Sequence, residues 1–411
     1  MNISDNIKMA YKDIMAYKSR SVLTVLGIAI GITAIILVMA IGDSAKKSII
    51  GQIQSLGANN VYIMPGKMQD MMQSGGTGQD SLKEKDLKDL NNTANVPNII
   101  NVIPISTGFG YANFESESYR VTIIGSTPEI FELMKINIEK GDLFTSEEVD
   151  SKTSVAIIGP KVAKKLFGLD DPINQKIKLK DINFKVIGVT ESKGQFGGVN
   201  YDDCVTIPYT TLQQKILGVK YFHEMIAKID SEQNVKTAIS DMETVLRNNH
   251  NIDDPKKDDF SIQTQEDVTK SVNSVLGVLT VLLSSVAAIS LIVGGVGVMN
   301  MMLTSVTERT KEIGLRKALG ATNKHILFQF LTEAMLLTSG GGLFGIFFGF
   351  VLSYLLITVF NMTGTFNFVF SFPIFGAILG VLVSAGVGFT FGIYPAIQAS
   401  KKSPMDALRY E

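Results

Sequence analysis

Four stretches of the chain carry no charged residue and are dominated by Ile, Leu, Val, Phe and Gly: 21–42, 271–307, 335–361 and 372–400. A hydrocarbon core of ~30 Å takes about 20 helical residues at ~1.5 Å each. One Asp, Lys or Arg at mid-helix costs ~2.5–3.5 kcal/mol on insertion. The pattern therefore predicts four spanning helices, since soluble helices of this length carry a polar face. Past the first run, Ile49, Ile50, Ile53 and Leu56 continue a helical period, and the run 271–307 is longer than a bilayer needs. Both connections to the intervening segment are expected to be helical and stiff, unlike a Gly/Ser coil.

Between the first two runs the pattern changes to short strands and amphipathic helices, an α+β arrangement. Strands are expected at 61–64, 99–105, 120–125, 155–158, 177–179, 184–189, 205–207 and 225–229, and helices at 128–134, 160–167, 209–217 and 234–249. Ser81-Leu82-Lys83-Glu84 has the spacing of a capping box opening a helix to about Asn91. The glycine-bearing stretch 66–80 reads as a loop. Its Met68, Met71 and Met72 would suit a soft copper ion, although methionine is also common in irregular segments.

Basic residues set the expected orientation. Lys8, Lys12, Lys18 and Arg20 precede the first run; Arg309, Lys311, Arg316, Lys317 and Lys324 separate the second and third; Lys401, Lys402 and Arg409 follow the fourth. The interval 362–371 has neither Lys nor Arg. All basic clusters then fall on the cytosolic side of the cell membrane, with both termini. The expected organisation is a cytosolic amphipathic helix over 1–20, a retained first spanning helix over 21–42, and an extracytoplasmic segment over 43–270. A stalk with the second helix follows over 271–307, then a cytosolic helix and loop over 308–325, the third helix over 326–361, a short outer loop over 362–371, the fourth helix over 372–399 and a tail over 400–411.

Composition narrows the chemistry. A net charge of −1 gives no footprint for nucleic acid. The single cysteine, Cys204, excludes an internal disulfide; beside Asp202 and Asp203 it reads as a buried thiol rather than a metal ligand. His223 and His250 stand apart with no metal-ligand spacing, and neither a nucleophile elbow nor a phosphate-binding P-loop motif occurs. No catalytic or metal residue is expected, and the chain is not read as an enzyme. Small residues recur every fourth position at Gly27 and Gly31, at Gly341, Gly345 and Gly349, and at Gly376, Gly380, Ser384, Gly388 and Gly392. Such stripes let helices pack closely, either within one chain or at a dimer seam. The runs lack mid-span Asp, Lys or Arg, which argues against a polar pathway for an ion-coupled carrier.

The densest signal is Glu308 to Ala321, a mixed-charge, helix-forming segment between two uncharged runs, which reads as a docking surface for a soluble partner. With three further motifs it carries a family resemblance. These are Lys18 to Ile28; Gly159-Pro160 through Lys165-Leu166-Phe167-Gly168 and Asp171-Pro172-Ile173; and Tyr394-Pro395-Ala396 with Ser403 to Glu411. Met299-Asn300 and Gln329 to Ala334 flank the charged segment. The sequence resembles the permease subunits of MacB-type ABC transporters over essentially its whole length. One departure is Asn174, where the family usually has Gly.

The resemblance implies a homodimer in membrane lipid, bound to a separate cytosolic ABC ATPase that carries ATP and Mg, with no cofactor on this chain. It implies an outer domain of porter-like parts (about 59–105 and 224–262) around an inserted lobe (about 106–223), serving an adaptor of the membrane-fusion type. Glu308, Arg309, Thr310, Glu312, Gly314, Arg316 and Gly320 would then couple to the ATPase. Arg309, Glu312 and Arg316 would contact it, and the two glycines would permit close approach or end the helix. The implied mechanism is mechanotransmission in efflux of a peptide, drug or similar substrate. A transducer activating a cell-wall hydrolase and a lipoprotein-releasing permease remain alternatives within the same superfamily.

Overall fold

A computed structural model describes residues 18–55, 59–66, 80–196, 198–362 and 368–404. The expected amphipathic helix before Lys18, the Met68–Met72 loop and the tail beyond residue 404 lie outside the described residues. The chain divides into two compact units, one of residues 1–48 with 272–411 and one of residues 49–271.

Helix α1 (Lys18–Ser55) opens the chain and continues well past the expected end at residue 42. The second unit then begins with β1 (Asn60–Pro65), α2 (Glu84–Leu90), β2 (Ile99–Phe114) and β3 (Glu117–Ser126). It continues through α3 (Glu129–Leu133), β4 (Ile138–Gly141), α4 (Ser146–Asp150), β5 (Val155–Ile158), α5 (Pro160–Phe167), β6 (Lys176–Leu179) and β7 (Ile182–Thr190). A small hairpin, β8 (Gln195–Phe196) and β9 (Val199–Asn200), precedes β10 (Cys204–Pro208), β11 (Glu224–Ile229), α6 (Val235–His250) and β12 (Phe260–Thr264). The expected helix 209–217 begins as α-helix but runs as a π-helical turn over Leu212–Leu217.

The main sheet has the order β12-β1-β11-β2-β3-β10-β5-β7-β4. Its first four strands are all antiparallel, with α2 between β1 and β2 and α6 between β11 and β12. This is the split βαβ arrangement of ferredoxin-like folds. The rest is inserted between β2 and β11, and one strand serves both parts: β2 pairs β11 through Ile105 and β3 from Ser106 onward. Two cores result. Val61, Ile103, Phe222 and Leu246 belong to one, while Ile123, Phe184, Val205 and Ile207 belong to the other. Helix α6 turns Val235, Ala238, Met242 and Leu246 onto the sheet as a single apolar stripe.

Two local readings change. Ser81 does not cap α2; its hydroxyl donates to the Asp259 carbonyl, and Lys83 is the N-cap residue, its N–H bonded to Asp86 at 2.7 Å. The reciprocal half of the box therefore falls on Asp86, two residues beyond Glu84. Strand β2 runs nine residues past the expected Ile105. Asn174 stands at φ +67°, in the left-handed region where Gly is free and Asn is tolerated.

In the first unit, α7 (Gln265–Glu308), α8 (Thr310–Ala318), α9 (Asn323–Met362) and α10 (Ile374–Lys401) follow in order, α7 beginning in the last residues of the second unit. With α1, helices α7, α9 and α10 are the four long and apolar enough to span a membrane. The small residues lie where helices of the same chain meet. A Cβ on Gly345 would stand 2.7 Å from the Ile32 Cβ and one on Gly349 equally close to Ile36, both on α1. Gly341 abuts Ile28, Gly27 meets Gly294 and Gly31 meets Leu291. Gly376 faces Met39, Gly380 faces Ile32, Ser384 abuts Gly342, and Gly388 and Gly392 press on Thr338 and Ala334. The side chains of residues 18–24 lie outside the description.

Candidate functional site

Helix α8 separates α7 from α9, and its inward face explains most of its sequence. Thr310, Ile313 and Gly314 are buried. Thr310 donates its hydroxyl to the Val306 and Thr307 carbonyls at the end of α7, satisfying acceptors left open there. Arg309, just before α8, reaches Glu333 of α9 with 3.3 Å between charged atoms, both side chains largely buried (12% and 3% exposed). Arg316 donates to Gln329 Oε1 of α9 at 2.8 Å and pairs with Glu312 one turn back. Lys317 donates to the Ser400 and Lys402 carbonyls at 2.5 and 2.8 Å, closing the carboxyl end of α10 with a cation. Arg309, just before the helix, and Arg316 and Lys317 within it thus clasp α9 and α10.

The helix stops through backbone geometry. Gly320 has φ +100°, its N–H bonds the Lys317 carbonyl, and the Ala321 N–H bonds the Arg316 carbonyl, both at 3.0 Å. That pair of bonds is a Schellman motif, and the left-handed residue in it favours glycine. Gly314 lies buried inside the helix instead of at an end.

The outward face holds Glu308, Lys311, Glu312, Leu315 and Leu319, of which Leu315 is 54% and Leu319 81% exposed. The resemblance implied Arg309, Glu312 and Arg316 as contacts for a partner. The structure turns both arginines toward α9, leaving Glu312 with two leucines that sequence reasoning passed over. A helical wheel contains the missing signal: Val306, Thr310, Ile313 and Lys317 follow i, i+4, i+7, i+11 and define the inward stripe, so Leu315 and Leu319 must lie off it.

In the second unit, the Cys204 region is a structural knot. The Asp202 carboxylate accepts from the Ser192 hydroxyl and the Lys193 and Gly194 amides, and Asp203 accepts from Tyr119. Burial and these two neighbouring carboxylates push the Cys204 thiol up to about 12, far from a metal-binding thiolate. Among the described residues no cluster of His, Cys, Asp and Glu could hold a metal ion.

The family models for the MacB-like periplasmic core domain and the FtsX-like permease C-terminal region match residues 21–245 and 284–404, respectively. The chain belongs to the MacB-like permease family. Family relatives include the macrolide export ATP-binding/permease protein MacB of Bdellovibrio bacteriovorus, 34% identical over 99% of this chain and 62% of its own length. The protein of the same name from Neisseria gonorrhoeae is 34% identical over 98% of this chain and 60% of its own. The chain thus spans about three fifths of the curated MacB relatives it matches. The crystallised periplasmic region of MacB from Actinobacillus actinomycetemcomitans aligns at TM-score 0.46 and 22% identity, covering 54% of this chain and 95% of that one. Family membership and the four apolar helices make this a multi-pass membrane protein with its large α+β unit between the first and second spans.

Proposed function

We propose that the chain is the permease part of an ABC-type efflux transporter, driven by an ATPase that lies outside these 411 residues. The observation that carries the proposal is α8 itself: a charged helix anchored from beneath by Arg309, Arg316 and Lys317 and presenting Leu315 and Leu319 outward. A membrane chain that needed only a turn between α7 and α9 would not hold two leucines outside its apolar spans. Apolar anchors rimmed by charge are what a protein partner recognises, and the curated relatives join an ATP-binding part to the permease in their names.

On this reading α8 is the coupling helix, on the cytosolic side with both termini, as the basic clusters favour. Two copies of the chain bind the ATPase pair, and an adaptor of the membrane-fusion type receives the substrate outside. ATP-driven closure pulls α8, and the clasp hands the displacement to α9 and α10. Helices α1 and α7 each continue from their uncharged spans into residues of the outer unit, which supports mechanotransmission. Purification from native membranes in mild detergent tests this. Wild type is expected to bring an ABC ATPase with it; Leu315→Glu/Leu319→Glu is expected to reach the membrane normally and lose the ATPase. Retention of the ATPase by that variant would remove α8 from the interface.

A further inference from the structure

The second unit contains a cavity of about 340 Å³ that the coupling reading leaves unused. Ile105, Ile124, Ile130, Phe196 and Ile226 form much of its wall. Against this apolar lining stands one carboxylate, Glu224, at the start of β11, with the rings of Tyr62 and Tyr201 lining the same space. No ion pair or hydrogen bond from any described residue reaches the Glu224 carboxylate. Its side chain is partly accessible, as befits a group facing a cavity. By contrast, Asp86, Asp202, Asp203 and Asp259 of the same unit all have partners.

A carboxylate in apolar surroundings is costly unless a positive group meets it. One carboxylate among isoleucines does not suit a hard divalent cation, which takes six or more oxygens. A half-open cleft near the small end of the ~300–1,000 Å³ range of ligand pockets suits a small molecule better than a protein segment. We propose that this cavity binds a small apolar ligand bearing one cationic nitrogen, with Glu224 as its counter-charge. As a cargo site it rests on the efflux reading above; as a binding site it stands without it.

The carboxyl's own chemistry sets the pH behaviour. Burial pushes Glu224 up to about 7. Burial raises Tyr62 and Tyr201 far above the working range, so both stay protonated. His223, whose Nδ1 accepts from the Thr107 amide, is held low by burial and is neutral at pH 7. Glu224 is thus the group that charges near neutrality, and affinity for a cation rises as pH passes through about 7.

The test uses the full chain in zwitterionic nanodiscs. A fluorophenylalkyl dimethylamine and its neutral analogue with a carbon in place of the nitrogen are titrated by fluorine NMR. The amine is expected to bind about tenfold more tightly than the neutral analogue, about 1.4 kcal/mol. Glu224→Gln should erase that preference while keeping neutral binding, and Thr107→Trp, which fills the cavity, should remove both. Ile130→Phe replaces it if Thr107→Trp does not fold. Equal binding of the two probes, an unchanged preference in Glu224→Gln, or binding that survives a filled cavity would each overturn the proposal. None of these readouts involves the ATPase, so failure here leaves the coupling reading intact, and loss of the coupling reading leaves this site intact.

Discussion

At the scale of single residues, the buried carboxylates of Asp86, Asp202 and Glu333 have partners, whereas among the described residues none bonds the Glu224 carboxylate in the cavity. Arg309 and Glu333 are a buried pair, and removing the arginine takes the facing positive charge from a carboxylate side chain only 3% exposed. Arg309→Ala is expected to cost about 3–5 kcal/mol, read by denaturant unfolding in detergent, with Arg309→Ala/Glu333→Met recovering much of the loss. His250 lies between two carboxylates, 3.2 Å from Asp86 on one side and 2.6 Å from Asp259 on the other. Asp86 is the main cause of its raised pKa. Burial alone would raise Asp86, but bonds from His250, the Lys83 amide and Asn249 outweigh it and hold that carboxyl low. The histidine's contribution to stability is complete below its unfolded value of ~6.5 and fades as pH rises through its higher folded value. The aspartate's is complete above ~3.9 and fades as pH falls through its lower folded value. Both are therefore whole between those limits. The midpoint of thermal unfolding should fall as pH rises from 6 through the folded pKa of His250, and His250→Gln should flatten that fall. Glu224 has a raised pKa without a partner, so it too weakens the fold as pH rises. Glu224→Gln should stabilise the unit at pH 8 by roughly 1–3 kcal/mol; a less stable variant would show that the carboxylate has a partner. Neither site was legible in the sequence, because the groups that meet are distant in it: Asp86 with His250, and Tyr62 with Tyr201 and Glu224.

At the scale of elements, legibility followed the strength of local signals. Helix α5 was readable to the residue because Gly159 and Pro160 open it and Gly168, at φ +62°, closes it. Strand β2 was cut short at Ile105 because Ser106, Thr107, Gly108 and Gly110 dilute its apolar pattern. Strands β4 and β12 escaped notice because β4 is mostly exposed and β12 only partly buried, so neither shows a clear alternation. Among helix ends, Gly320→Val should shorten α8 and weaken ATPase capture several-fold while membrane insertion stays normal, since a β-branched residue at φ +100° is strained. In the bundle, Gly345→Leu drives bulk into Ile32 and the Ala29 carbonyl of α1. It should abolish the monodisperse peak in size-exclusion chromatography, whereas Gly340→Ala, with open space around it, should not.

At the scale of the whole molecule, hydropathy sufficed for four spans, and motif order sufficed for the family. Arrangement within the second unit needed coordinates, since strand order depends on pairings between residues as far apart as Ile63 and Met225. The shared strand has a mechanical meaning. Because β2 joins the ferredoxin-like part of the sheet to the inserted part, and contributes Ile105 from one side of that junction and Thr107 from the other to the cavity wall, shear between the two parts would reshape that space. The strand is placed like the common leaf of a hinge: tension along it would change the fit of the cavity around a bound ligand.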